Sequence, residues 1–358
     1  MNRPTNKIFF FIAICAVTVS AIPTYLPHLV SAQTGALFGR FDNDLRLEMS
    51  PLHPRPGESV RISAHSASID LPLTSLEWIE NGKKIGGGVS VADIEIKAGV
   101  LGTETTVTVI MFENGIERVR KSVRINPTEL DLLWESDSYV PPFFRGRALP
   151  SAGTNLYLQA IPRFKRTNGS LVPVSDIVFT WRRNDYVLQK ISGRGAGRAV
   201  LGGPSFLGTD TISVHARSLD GLFETEEIVR IPSVEPRLVL YENHPLAGVM
   251  YHNAILSQNL QNYRGEVEMS LVAIPYFAEA QMDDDNSLIY KWKVNGNAIT
   301  NNPERPNSIT INASGSSGLA FVELALSHAT NLFLNSFGSW SMTLSSERLV
   351  NDPFTNTQ

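Results

Sequence analysis

Three consecutive carboxylates, Asp283, Asp284 and Asp285, form the densest cluster of potential ligands in the chain. Adjacent carboxylates repel one another unless water or a cation screens them, and Ca²⁺ draws oxygen ligands from loops of this kind. The run lacks the alternation and the glycine of an EF-type loop. It therefore reads as a solvated acidic loop, with Ca²⁺ at these three residues as the minor alternative. The histidines His53, His65, His215, His244, His252 and His328 show no HxH or HExxH spacing. His215 and His328 fall on strand-like runs, opposite the apolar face, and are expected to be exposed side chains rather than ligands. His244 and His252 share one turn region and have no carboxylate cluster beside them.

Nucleophiles and phosphate cradles fare no better. SGRGAGRAVLGG (192–203) does not match GxGxxG, and no Lys-Ser/Thr or opening helix follows it. GPSFLG (203–208) is not GxSxG and lacks the strand-to-helix elbow that motif needs. The one cysteine, Cys15, lies in an N-terminal apolar run, so no thiol is available downstream for catalysis or zinc binding. The expectation is a protein that is not an enzyme, with no catalytic residue to name. The conspicuous surplus is WESDSYVPPFFRGRALP (134–150), which gathers Trp134, Tyr139, Phe143, Phe144, Arg145 and Arg147 around a rigid Pro-Pro frame. Exposed aromatics of this kind stack on sugar rings or grip a partner chain.

The elements that position these residues come in three copies. AIPRF (160–164) returns as AIPYF (273–277). Upstream of the first lies DLLWESDSYVPPFFRG, and upstream of the second LVLYENHPLAG. LRLEMSPLHPRPG opens the series, and each run ends in a glutamate followed by a proline-bearing turn closed by glycine. Alternating strands follow, with Val60/Ile62/Ala64, Leu156/Leu158/Ala160 and Val267/Met269/Leu271 on one face at period two. Each copy then carries a tryptophan strand: LEWIENG, FTWRRND and YKWKVNG. In these, Leu76/Trp78, Phe179/Trp181 and Tyr290/Trp292 share a face. The tryptophans stand 103 and 111 residues apart, far above solenoid periods. The copies are thus whole domains, expected at 42–127, 128–235 and 236–349, with a 350–358 tail. AIPxF is the end of a core strand. The glycine-rich 192–203 stretch occupies the place of GGG (86–88) and SGSSG (314–318), which predicts a flexible inter-strand loop in each copy. In this frame the 134–147 aromatics have a structural alternative, filling the joint between the first and second copies or capping the open end of a sandwich.

Short strands with regular turn signals and one buried-type tryptophan on the third strand predict an all-β fold of three tandem antiparallel sandwiches. The WxxNG phrase resembles that of bacterial immunoglobulin-like and PKD-like repeats, whose tryptophan packs between two sheets. The second copy departs from it with Arg183-Asn184-Asp185 in place of the full NG turn, and no inter-sheet disulfide is available. The resemblance covers residues 42–349 and implies a modular exported surface protein; it implies no particular activity.

Arg3 and Lys7 precede the apolar run IFFFIAICAVTVSA (8–21), with small-residue exits at 19–21 and 30–32. This is the pattern of a secretory signal peptide, expected over 1–32 with cleavage after Ala32 and a linker at 33–41; an uncleaved anchor is the alternative. The C-terminus has no hydrophobic tail, so membrane insertion is expected at the N-terminal segment alone. Lys+Arg against Asp+Glu counts 11 to 12 over 33–127, 12 to 12 over 128–235 and 6 to 10 over 236–349. Without a basic excess, nucleic-acid binding is not expected. A disulfide-free exported chain points to a bacterial surface or periplasm. The functional expectation is a structural or adhesive envelope protein with envelope proteins or surface glycans as partners. The alternatives are a glycan-binding accessory protein using Trp134, Tyr139, Phe143 and Phe144, or a subunit of an envelope assembly machine.

Overall fold

The computed structural model of the chain describes residues 45–67, 70–255, 261–264, 268–312 and 318–345. The expected leader, linker and tail lie outside these residues. None of the helices it describes is long and apolar enough to cross a membrane.

The first domain runs β1 (Arg46–Ser50), β2 (Ser59–His65), β3 (Ser75–Glu80), β4 (Lys83–Val89), β5 (Asp93–Lys97), β6 (Thr105–Glu113) and β7 (Ile116–Ile125). The second runs β8 (Glu129–Ser136), β9 (Asn155–Arg163), β10 (Ile177–Arg183), β11 (Tyr186–Val187), β12 (Gly193–Arg194), β13 (Arg198–Gly202), β14 (Thr209–Ser218) and β15 (Glu224–Pro232). The third runs β16 (Arg237–His244), β17 (Gly248–Ile255), β18 (Gln261–Arg264), β19 (Glu268–Tyr276), β20 (Leu288–Val294) and β21 (Asn297–Ile299). It closes with β22 (Ser308–Asn312), β23 (Gly318–His328) and β24 (Asn335–Ser345).

Each domain is two sheets packed face to face. β1-β2-β5 faces β4-β3-β6-β7, β8-β9-β13 faces β11-β10-β14-β15, and β17-β16-β19-β22 faces β21-β20-β23-β24-β18. The ladders are antiparallel except β18 with β24, which runs parallel. The first strand of each domain lies beside its last, β1 by β7, β8 by β15 and β16 by β24. The protein is an all-β chain of three tandem immunoglobulin-like sandwiches.

Period-two alternation decides which side chains meet. Val60 and Ile62 from β2 face Leu76 and Trp78 from β3 in one core; Leu156 and Leu158 face Phe179 and Trp181 in the next. Met269 and Leu271 face Tyr290 and Trp292 in the third. The three indoles are sealed, at 0%, 0% and 1% exposure. Burying rings of this size contributes at most about 4–6 kcal/mol each by the area rule. A sealed indole also needs a partner for its N–H. Trp78 donates to the Val91 carbonyl at 2.9 Å, Trp181 to Ala196 at 2.8 Å and Trp292 to Pro306 at 3.0 Å. In all three domains the acceptor stands two residues before the next strand of the opposite sheet, β5, β13 or β22. The bond ties the two sheets together at equivalent points.

The turn after each tryptophan strand is also shared. Asn81, Asn184 and Asn295 adopt φ of 47°, 51° and 49°. Each accepts a backbone N–H through its side-chain oxygen, from Thr106, Thr211 and Phe321 at 2.9, 2.9 and 2.8 Å. Each returns its own N–H to the same residue's carbonyl. The second copy is therefore less divergent than its sequence implies. Asp185 takes the left-handed position, φ 69°, where the other copies have glycine.

Two expected loops prove to be strands. Gly86, Gly87 and Gly88 lie within β4, and the 192–203 stretch contributes β12 and β13. Glycine is required in β4 because a Cβ on Gly87 would stand 2.5 Å from the Leu76 carbonyl oxygen, at φ +145°. In SGSSG, residues 314–317 fall outside the described set, and Gly318 opens β23.

Candidate functional site

The loop from residue 137 to 154 leaves β8 and returns to β9 at the end of the second domain that meets the third. It carries most of the aromatic surplus, and it divides those residues between two environments.

Tyr139 crosses to the third domain. Its N–H donates to the Ala278 carbonyl at 2.8 Å, and its carbonyl accepts from Phe277 N–H at 2.7 Å. Both bonds fall on the two residues that follow β19, so they tie the loop backbone to the third domain at one point. The ring packs on the outer face of the β16-β19 sheet, against the cluster of Tyr241, Val272, Ile274, Tyr251 and Tyr276. Phe144 follows it, making edge-on contacts with Tyr276 at 5.7 Å and Phe277 at 5.9 Å. Tyr241 and Tyr276 share a hydroxyl–hydroxyl bond of 2.7 Å within the same cluster. Burial raises the phenol pKa values of Tyr139 and Tyr276, and nearby Asp283 adds to the shift at Tyr139. These phenols stay protonated and neutral, as a packed contact requires.

On the far side of the loop, Asn331 from the third domain donates its side-chain amide to the Ala152 carbonyl at 2.8 Å and to the Glu279 carboxylate at 2.7 Å. Gly153 sits under this pair: a Cβ there would stand 2.1 Å from Glu279 Oε2, at φ +91°. Phe206 and Phe333 stack across the rim of the joint at 5.8 Å.

Trp134 is half-buried against the second core, and its ring carries the Arg147 guanidinium at 4.2 Å. Such a cation–π contact occupies the ring face that a sugar would need. Phe143 is different. It is 92% exposed, at φ 66°, and Arg145 beside it is exposed as well. The structural alternative for these aromatics thus requires correction: Tyr139 and Phe144 join the second domain to the third, not the first to the second. The partners lie too far along the sequence for any local pattern to reveal them.

The acidic loop does not converge on a common point. Asp283 accepts from the Asn307 amide at 3.1 Å, and its carbonyl receives the Tyr290 hydroxyl. Asp285 accepts from the Ser287 N–H and hydroxyl at 2.9 and 2.7 Å and from Gln281 N–H at 3.3 Å. Burial first, and Asp284 second, raise the Asp283 pKa; hydrogen bonds from Ser287 lower that of Asp285.

His328 and His244 accept backbone N–H groups of their own turns through Nδ1. His215 overturns its expectation. It does project from the outer face of β14, yet it is half-buried there, 2.7 Å from Glu224 and facing His53 of the first domain. Spacing rules missed the group because its two histidines stand in different domains.

No protein-family model matches this chain, and no curated protein matches it significantly. Several solved structures resemble it in shape. The central fibronectin-III array of RIM-binding protein covers 86% of this chain and 98% of its own at 11% identity and a TM-score of 0.30. Three N-terminal domains of the outer capsid protein Hoc of bacteriophage RB49 cover 85% and 99% at 11% identity and a TM-score of 0.23. SGBP-B of Bacteroides ovatus, solved with a mixed-linkage heptasaccharide, covers 84% and 70% at 12% identity and a TM-score of 0.21. At these values the likeness speaks for neither a site nor a ligand.

Proposed function

We propose that the protein is an exported, non-enzymatic component of the cell envelope, structural or adhesive in role, built from bacterial immunoglobulin-like, PKD-like modules. One observation supports this reading above the others. The most conspicuous aromatic residues, Tyr139 and Phe144, hold the third domain against the second. The chemistry that looked available for a substrate goes instead into fixing one module on the next. Tandem modules with fixed joints present surfaces at set distances, which suits a spacer or scaffold, whereas free linkers leave domains to move. Envelope proteins are the partners in this reading.

Subcellular fractionation tests it. The full chain should appear in exported fractions of a bacterial host, and a chain beginning at residue 33 should stay in the cytoplasm. A full chain found in the cytoplasm would overturn the proposal.

Phe143 favours a second reading, in which the same loop binds a glycan or partner. An exposed phenylalanine at φ 66° gives up about 1 kcal/mol of backbone strain and gains no burial in return. Replacing it with glycine should stabilise the second domain by at most about 0.5 kcal/mol in a denaturant titration, the strain relieved less the added freedom of glycine when unfolded. On the glycan reading, the same Phe143→Gly change abolishes binding to envelope polysaccharides in a pull-down. Undiminished binding, or none by the parent, retires that reading.

A further inference from the structure

The joint between the first and second domains assembles a group of a different kind. His53 lies in the turn between β1 and β2, His215 lies in β14, and Glu224 opens β15. The β14-β15 register sets His215 opposite Glu226 and Arg217 opposite Glu224, so Glu224 reaches His215 diagonally, with Nε2 to Oε1 at 2.7 Å. The His53 ring approaches from the first domain, its centroid 6.4 Å from that of His215 and tilted by 58°. One ligating atom from each residue lies within 4.8 Å of the other two, and all three residues are half-buried.

We propose that His53, His215 and Glu224 form an interdomain binding site for a divalent transition-metal ion of the zinc class. Two imidazoles and one carboxylate match the borderline-soft preference of Zn²⁺ and its neighbours rather than the all-oxygen preference of Ca²⁺ or Mg²⁺. A tetrahedral ion with bonds of about 2.0–2.2 Å holds its ligand atoms roughly 3.3–3.6 Å apart. The three ligand atoms already lie within 4.8 Å of one another, so an ion has to draw them closer by about 1 Å. Water supplies the fourth ligand.

The backbone around the ligands is already held. Thr128 donates its N–H to the carbonyl of Pro54, next to His53, at 3.2 Å, and its hydroxyl to the carbonyl of Glu224 itself at 3.4 Å. Arg55 pairs with Glu227 at 2.6 Å on the rim. Ligands positioned by such outer contacts lose little freedom when an ion arrives. Glu226 adds negative charge facing His53. Arg217 is the competing cation: its Nε stands 3.8 Å from Glu224 Oε2 in an exposed pair, which a metal readily outbids because such pairs contribute little. Two ligands belong to the second domain and one to the first, so the ion binds tightly only when the joint is closed. By reciprocity it holds the joint closed. This assignment does not depend on the envelope role proposed above.

The test uses the full chain, stripped with a chelator and titrated with Zn²⁺ by calorimetry at neutral pH. We expect saturable one-to-one binding tighter than about 100 µM. It should weaken at least tenfold in His53→Gln and in His215→Gln and stay unchanged in His252→Gln, which alters an exposed histidine on another domain. Hydrogen exchange at the Thr128 amide should slow when Zn²⁺ is added to the parent and stay unchanged in His53→Gln. His53 lies in a surface turn, so its variant carries the test even if His215→Gln misfolds. Absence of saturable binding, binding that survives His53→Gln, or an unmoved Thr128 amide would each overturn the interdomain site. The last two leave zinc on ordinary surface histidines.

Discussion

Asn184 and Asp185 occupy a turn whose geometry demands left-handed backbone at two successive residues, and only the first is suited to it without cost. Asparagine accepts this conformation because its side chain bonds locally. Here it does so by receiving Thr211 N–H at 2.9 Å, and its amide also reaches Asp210 at 2.9 Å. Asp185 offers no such return at φ 69°. Asp185→Gly should therefore raise the stability of the second domain by about 0.5 kcal/mol, the left-handed penalty minus the added freedom of glycine when unfolded. A denaturant midpoint that falls would show that Asp185 makes a contact worth more than its strain. This part of the fold was partly legible in the sequence. The NG pairs after Trp78 and Trp292 announced their turns. The second copy lacks the glycine, but the asparagine three residues after tryptophan is what all three copies share.

Strands read well where one face is buried and poorly where neither alternation nor bulk marks them. β2, β9 and β19 declare themselves by period-two apolar residues. β4 and β12 do not, because glycine there answers a close backbone approach or a short edge pairing rather than a hydrophobic face. The acidic segment before β20 shows the same limit. Its composition says solvated loop, yet Asp283 is half-buried under Tyr139 and Tyr290, with Asp284 beside it, and burial raises its pKa above the ordinary 3.8. A raised carboxyl pKa means that the folded state keeps a proton the unfolded chain releases at the same pH. Stability then increases as pH falls from above the folded pKa toward 3.8, and levels off below it. Asp283→Asn keeps an acceptor for Asn307 and removes the charge. The variant should be more stable than the parent at pH 7, and the difference should shrink on acidification toward about pH 4. Denaturant titrations across that range read it directly; a difference independent of pH would assign the shift elsewhere.

At the scale of the molecule, what the sequence hides is how one domain meets the next. Tyr139, Phe144 and His53 were visible as residues, but their partners belong to neighbouring domains, and no periodicity links them. The joint between the second and third domains concentrates its tolerance in one small residue. Gly153→Ala would drive a methyl into the Glu279–Asn331 pair and force a left-handed alanine. Each sandwich should survive, since Gly153 belongs to no core cluster, while the joint loses about 1–3 kcal/mol. Small-angle scattering should report a broader distribution of shapes for the variant, and an unchanged profile would show that the Tyr139 bridge alone suffices.

The sealed indoles also turn the protein into its own optical instrument. Trp78 is the only tryptophan of the first domain, and the second and third hold Trp181 and Trp292 in equivalent dry pockets, each bonded to a main-chain oxygen. Replacing Trp78 alone by phenylalanine leaves the sealed indoles of the other two domains in place, and the emission lost with it is the first domain's share of the melting trace. Comparing that trace with the far-ultraviolet signal of the whole chain tells whether the three sandwiches come apart singly or in concert.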